Sequence, residues 1–226
     1  MKPGDRLTLT VERPAAGGRM IARHDGAIVL VSAVIPGETV EAEVEKMQRG
    51  TIWARPTRIL QRSADRVAPE GDWRCGGNVF AHMSYDRQLA IKREIVRDAF
   101  TRIGRMTTPE HLPVIGSAVD GYRMRARLHV QGARVGFFRE GTHQLCAAGP
   151  TRQLQPDTVE SLERLAAALE SHQPARISEL EVSESCDAGQ RVVHLEIAEA
   201  ADPARLGPLP QVPGVTGASC GHATGD

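Results

Sequence analysis

Gly17-Gly-Arg-Met-Ile-Ala-Arg-His-Asp-Gly-Ala-Ile-Val-Leu-Val-Ser32 is the most telling stretch of this chain. Two short apolar runs flank His24-Asp25-Gly26, and Asp-Gly between such runs is a strong hairpin signal. Upstream, Leu7, Leu9 and Val11 alternate with Arg6, Thr8, Thr10 and Glu12, the period of a half-buried strand. Downstream, Pro36-Gly37-Glu38 marks a turn and residues 40–45 alternate again. Gly50 then precedes a last run from Thr51 to Leu60. Five short strands over residues 5–60 predict a small closed barrel of the OB type, because closure removes the exposed edges of so small a sheet.

Beyond the barrel, residues 61–83 read as a linker containing Pro69, Gly71, Gly76 and Gly77. A helix follows, with Ser84 as N-cap, Asp86 in its first turn and Gly104 at its end. Leu89, Ile95, Val96, Ala99, Phe100 and Ile103 form its apolar stripe, with Arg87, Arg93, Arg97 and Arg102 opposite. A second sheet begins near Gly121, with Tyr122, Met124, Ala126, Leu128 and Val130 on one face. A turn at Gly132-Ala133 folds this strand against Val135-Gly-Phe-Phe-Arg139. Asp157 with Glu160 makes a capping box for a second helix that buries Leu162, Leu165 and Leu169. Residues 177–184 and 191–198 pair as a hairpin around Asp187-Ala-Gly189, and residues 202–226 read as an irregular tail. The fold class is mixed β and α+β, in segments 1–62 (barrel), 63–105 (linker and helix) and 106–226 (a partial α+β domain).

Lys and Arg number 28, as do Asp and Glu, so the net charge is zero. That neutrality conceals two unlike parts. Residues 1–140 carry 23 basic and 16 acidic side chains, a charge of +7, and the remainder carries −7. Such asymmetry points to a polyanion-binding segment. No apolar run reaches the ~18–20 residues of a membrane span, and the start has no signal-peptide core, so a cytoplasmic protein without membrane contact is expected. Four scattered cysteines (Cys75, Cys146, Cys186, Cys220) form no C-x-x-C pair, which predicts reduced thiols and no metal site. Phosphate-loop, dinucleotide and nucleophile-elbow motifs are missing. Ser219-Cys220-Gly-His222 places a thiol near an imidazole but lies in the irregular tail.

Arg123, Arg125 and Arg127 recur on one strand face ~6–7 Å apart, near the spacing of phosphates in an extended nucleic-acid strand. A solvated outer sheet face would look the same, and both readings stand open. Arg19 and Arg23 on the second barrel strand, with Arg49, Arg55 and Arg58 around the last, add basic surface to the barrel. Trp53 is its one aromatic ring, too few for a base-stacking platform.

These residues resemble a known family, the bacterial RNA (uracil-C5) methyltransferases that use S-adenosylmethionine. Gly17-Gly18-Arg19, Ala22-Arg23, Asp25-Gly26, Val29, Val31, Pro36-Gly37-Glu38 and Val40 follow the pattern of a TRAM domain. The match continues through Arg66-Val67, Cys75-Gly-Gly, residues 82–85, Gln88-Leu89 and residues 92–96. It then takes in Gly121-Tyr122-Arg123, Arg125-Ala126 and the run from Gly136 to His143. The resemblance implies RNA, ribosomal or transfer, as partner, and adds Arg139 to the eight arginines above as a phosphate contact. It also implies a [4Fe–4S] cluster on four cysteines, but only Cys75 lies in register. Pro69 and Asn78 stand at the flanking positions and Thr151 at the fourth, so no cluster is expected. The family's Rossmann-like domain, with its methyl-donor site and catalytic cysteine, has no counterpart after residue 160. The chain is therefore expected to hold no cofactor and no catalytic residue. It reads as the N-terminal, RNA-binding portion of such an enzyme, working with a separate methyltransferase domain. The alternative is a stand-alone TRAM-type RNA-binding or chaperone protein.

Overall fold

The computed structural model describes residues 1–69, 71–172, 177–197 and 211–222. The chain divides into two compact units: Met1–Trp73 with Asn78–Gly116, and Arg74–Gly77 with Ser117–Asp226. In the first, β1 (Arg6–Pro14), β2 (Met20–His24), β3 (Ala27–Val31), β4 (Thr39–Gln48) and β5 (Thr51–Gln61) close into a barrel in the order β1-β2-β3-β5-β4. The Asp25-Gly26 turn has φ of 48° and 78°, the left-handed pair that a two-residue hairpin needs. Alternation does the rest. Leu7, Leu9, Val11, Val40, Ala42 and Val44 point inward, meeting Met20, Val29, Val31 and Ile52 in one core. Gly18, in the turn between β1 and β2, has φ of 89°, and a Cβ there would sit 2.7 Å from Val79 Cγ2, so the turn approaches the connector this closely because the position lacks a side chain.

Helix α1 (Tyr85–Asp98) continues into one π turn, Ala99–Ile103. Two expectations are refined here. Ser84 does stand at the N-cap, its carbonyl accepting the Gln88 amide, but its side chain makes no capping bond. Of the stripe Leu89, Ile95, Val96, Ala99, Phe100 and Ile103, only one edge is the buried face. Ile91 is buried and Ile95 packs on the barrel core, whereas Val96, Phe100 and Ile103 are exposed. At ~100° per residue, Ile91 and Ile95 lie at one edge of the stripe, so the barrel covers that edge and leaves its centre open.

The second unit is a six-stranded sheet in the order β11-β10-β9-β6-β7-β8. Its strands are β6 (Arg125–Gln131), β7 (Arg134–Phe138), β8 (Leu145–Ala147), β9 (Ile177–Glu184), β10 (Arg191–Ile197) and β11 (Gly217–His222). Helix α2 (Pro156–His172) packs Leu162, Leu165 and Leu169 against Leu128, Phe137, Leu180 and Leu195. It begins at Pro156, with the Gln155 carbonyl taking the N–H groups of Thr158 and Val159. Glu160 pairs with Arg164 rather than closing a box with Asp157, because the helix starts at the proline, two residues before the start such a box requires. Three further expectations change. Residues 217–222 of the supposed irregular tail form β11, paired in parallel with β10; residues 202–210 and 223–226 of that tail lie outside the described residues. β6 starts only at Arg125, so Tyr122 and Met124 lie outside the strand and are exposed. Cys75 and Cys146 are joined rather than free, with Cα atoms 6.1 Å apart, because β7 and β8 bring residue 146 to the Cys-Gly-Gly turn.

Each unit also holds a buried ion pair. Glu38 is fully buried and accepts from the Ile35 and Ser63 amides and twice from Arg66, at 2.6 Å each. Burial pushes its carboxyl up, but Arg66 and the two amides outweigh that and hold it below the usual range. Arg191 bonds Glu184 and Thr158, joining β10 to β9 and α2. His82 is buried with Nε2 donating to the Val34 carbonyl, and burial depresses its pKa to about 4.

The Glu38→Ala variant strands Arg66, and the expected loss is about 3–5 kcal/mol of barrel stability. Both tryptophans lie in the first unit, so tryptophan fluorescence in urea reads that loss directly. Acid adds a second effect. Between pH 6.5 and about 4 only the unfolded His82 takes a proton, so stability falls across that window by roughly 3 kcal/mol. The Glu38 contribution is complete above the ordinary carboxylate pKa and is lost progressively as the pH falls from there through its lowered value. A urea midpoint independent of pH from 7 to 4.5 would contradict the assignment.

Candidate nucleic-acid interface

On the barrel the basic side chains differ in what they are free to do. Arg19 is largely covered: it pairs with Glu45 at 3.0 Å, donates to the Ala54 carbonyl and lies 4.8 Å from the Trp53 ring centre. Lys46 also lies over that ring, at 4.6 Å, so Trp53 is half-buried under two cations. Arg55 pairs with Glu43 at 3.0 Å and Arg23 with Glu12 at 3.6 Å, both exposed. Arg49 caps the β4–β5 turn at φ 51°, and Arg58 stands on β5 opposite Glu41. Neither makes an ion pair among the described residues, so these two keep their full charge for a ligand.

The second unit is different. Arg125 pairs with Glu181, and Arg127 reaches Glu179, Glu181 and Glu196 at 3.3–3.8 Å. The register that sets β6 beside β9 puts these charges face to face, so the arginines spaced like phosphates are matched by acids from the negative part of the chain. Arg123 leaves that row and lies 5.6 Å from the Phe137 ring, while Arg139 donates to Gln144 at 2.6 Å. The same sheet face assembles a ring cluster that sequence reasoning missed. His129 stacks on Phe138 with centroids 3.5 Å apart and planes within 6°, and His143 meets the same ring edge-on at 5.3 Å. Period-two alternation gave the face of His129, but its partner on β7 depends on pairing His129 with Gly136.

The model of the TRAM domain family matches residues 1–56. A 23S rRNA (uracil(1939)-C(5))-methyltransferase of Alcanivorax borkumensis is 31% identical over 211 residues, covering 88% of this chain and 47% of that protein. The corresponding enzyme of Halomonas elongata is 32% identical over 197 residues, 83% of this chain and 41% of its own length. The chain carries a TRAM domain and is homologous to the bacterial RNA uracil-C5 methyltransferases. It spans about a third to a half of the length of the curated relatives it matches. In structure it superimposes, with a TM-score of 0.58 and 22% identity, on the Pyrococcus abyssi tRNA (uracil-54, C5)-methyltransferase in complex with S-adenosyl-L-homocysteine. That match covers 88% of this chain and 48% of that one, and it supports the fold.

The iron–sulfur cluster that the resemblance implies does not fit the residues present. Cys75 is bonded to Cys146, and the Cys146 backbone belongs to β8. Thr151 is buried with its hydroxyl donating to the Ala148 carbonyl at 2.6 Å. No group of three or more His, Cys, Asp or Glu side chains among the described residues is placed to hold a metal. Two thiols 71 residues apart instead fasten the Cys-Gly-Gly turn to the sheet of the second unit. The Ser219-Cys220 pair splits in space: Ser219 bonds His194 Nδ1 at 2.9 Å, whereas Cys220 is an exposed free thiol. No helix among the described residues is long and apolar enough to cross a membrane.

Alkylation of the denatured, unreduced protein is expected to label two thiols, Cys186 and Cys220, rising to four after reduction. Four labels without reductant, counted by mass spectrometry, would refute the cross-link.

Proposed function

We propose that this chain is the RNA-capturing portion of an S-adenosylmethionine-dependent RNA uracil-C5 methyltransferase. Its substrate would be ribosomal or transfer RNA in the cytoplasm. The observation that carries the reading is the closed TRAM barrel with outward cations, joined in one chain to a sheet domain that shares homology with these enzymes. Arg49 and Arg58 supply phosphate contacts directly. Arg23 and Arg55 do so by exchanging an exposed carboxylate for a phosphate, a cheap exchange because surface ion pairs contribute about 0–1 kcal/mol. Arg125 and Arg127 act in the same way on the second unit, where the matched glutamates make phosphate binding weaker, and Arg123 and Arg139, which lie against Phe137 and Gln144, add their charge. Such contacts position RNA and carry little sequence information. Methyl-donor binding and the thiolate addition to uracil would belong to a methyltransferase domain outside these 226 residues, in keeping with the share of the relatives that the chain spans.

Titration of structured ribosomal or transfer RNA should show affinity falling steeply with salt, by ~0.7–0.9 in log–log slope for each phosphate contacted. The Arg49→Ala/Arg58→Ala double variant should reduce that slope by about 1–2 and weaken binding to all sequences alike. Absence of binding at low salt, or binding indifferent to salt, would overturn the reading.

A further inference from the structure

The sheet face of the second unit pairs its charges almost one for one and leaves a group of rings beside them. Arg125 and Arg127 are engaged by Glu179, Glu181 and Glu196, which makes the face a poor phosphate site. Next to it His129 lies flat on Phe138, and Glu179 holds His129 Nδ1 at 3.2 Å. Burial, together with His143 and Arg127, lowers the His129 pKa despite Glu179, so the ring is largely uncharged at neutral pH.

His143 completes the group from a turn that is fastened at its base. The Arg139 amide donates to the Gln144 carbonyl, and the Thr142 amide and hydroxyl both donate to the Arg139 carbonyl. The Gln144 amide donates to the Thr142 hydroxyl, and the Arg139 guanidinium to the Gln144 side chain. These bonds fix the loop, yet the imidazole it presents is exposed and has no hydrogen-bond partner among the described residues. A rigid turn that displays an unengaged ring edge-on to a stacked pair is preorganised for a flat ligand.

We propose that His129, Phe138 and His143 form a stacking seat for one unpaired base of the bound RNA. The occupant follows from the chemistry: a neutral face with aromatic walls suits the π-face of a base, and the flanking Arg139 suits the chain that carries it. The barrel then holds backbone while the second unit holds a base. This inference rests on the reading of the chain as an RNA binder.

The test uses the full chain and a single-stranded, uridine-rich RNA, with a fully paired duplex of equal length as control. His143 is exposed, so His143→Ala leaves the fold intact. That variant should bind the single strand about 5- to 100-fold more weakly, with an unchanged salt slope and unchanged duplex affinity. His143→Phe, which keeps a ring, should restore most of the loss. An RNA made abasic at every position should bind wild type and His143→Ala alike. If the wild type binds the single strand and His143→Ala binds it equally well, the seat is refuted. A loss accompanied by a shallower salt slope also refutes it, because His143 would then contact phosphate. If the wild type binds neither RNA, the RNA-binding reading itself falls, and the seat with it.

Discussion

The buried carboxylate of Glu38 is the constraint on which the first unit turns. A charge with no solvent must find its full set of donors inside the fold, and it takes them from three separate places. The Ile35 amide comes from the turn before β4, the Ser63 amide from the exit of β5, and the Arg66 guanidinium from the connector beyond. Arg66 also reaches the Ala33 carbonyl and pairs by backbone with Met83. One ion pair therefore ties the closing strands to the segment leading into α1, and His82 from that segment fills the same region through Val34. Barrel closure and helix placement form one cooperative arrangement.

Electrostatics divides the two units by a different rule. On the barrel, acids and bases alternate along strands whose outer faces are open, so cations such as Arg49 and Arg58 remain uncommitted. On the sheet, strands that are far apart in sequence bring opposite charges into register, and the excess of acid after residue 140 is spent against the basic strand before it. The zero net charge of the chain is thus partly a local pairing across β6, β9 and β10 rather than a balance of two remote surfaces.

Much of the fold was legible in the residues because it rests on short-range signals. The Asp25-Gly26 turn, the alternation of β1 and β4, the Gly132 hairpin and the leucine face of α2 all lie within windows of a few residues. The errors share a cause. Ser84 holds the N-cap position without a side-chain bond, and Asp157 falls inside a helix that starts at Pro156. The apolar stripe of α1 is genuine, yet which edge the barrel covers depends on its approach. Residues 217–222 carry too little periodicity to read as a strand and become one by pairing with β10.

For the candidate surfaces the division is sharper. The residues alone established a barrel, a family resemblance and a set of arginines, since those depend on residue type and spacing along the chain. Only the tertiary structure decided which arginines are neutralised, that Cys75 meets Cys146, and that His129, Phe138 and His143 share one corner. Such contacts are made by strand register, which brings together residues dozens of positions apart, and a one-residue slip would send each to the opposite face.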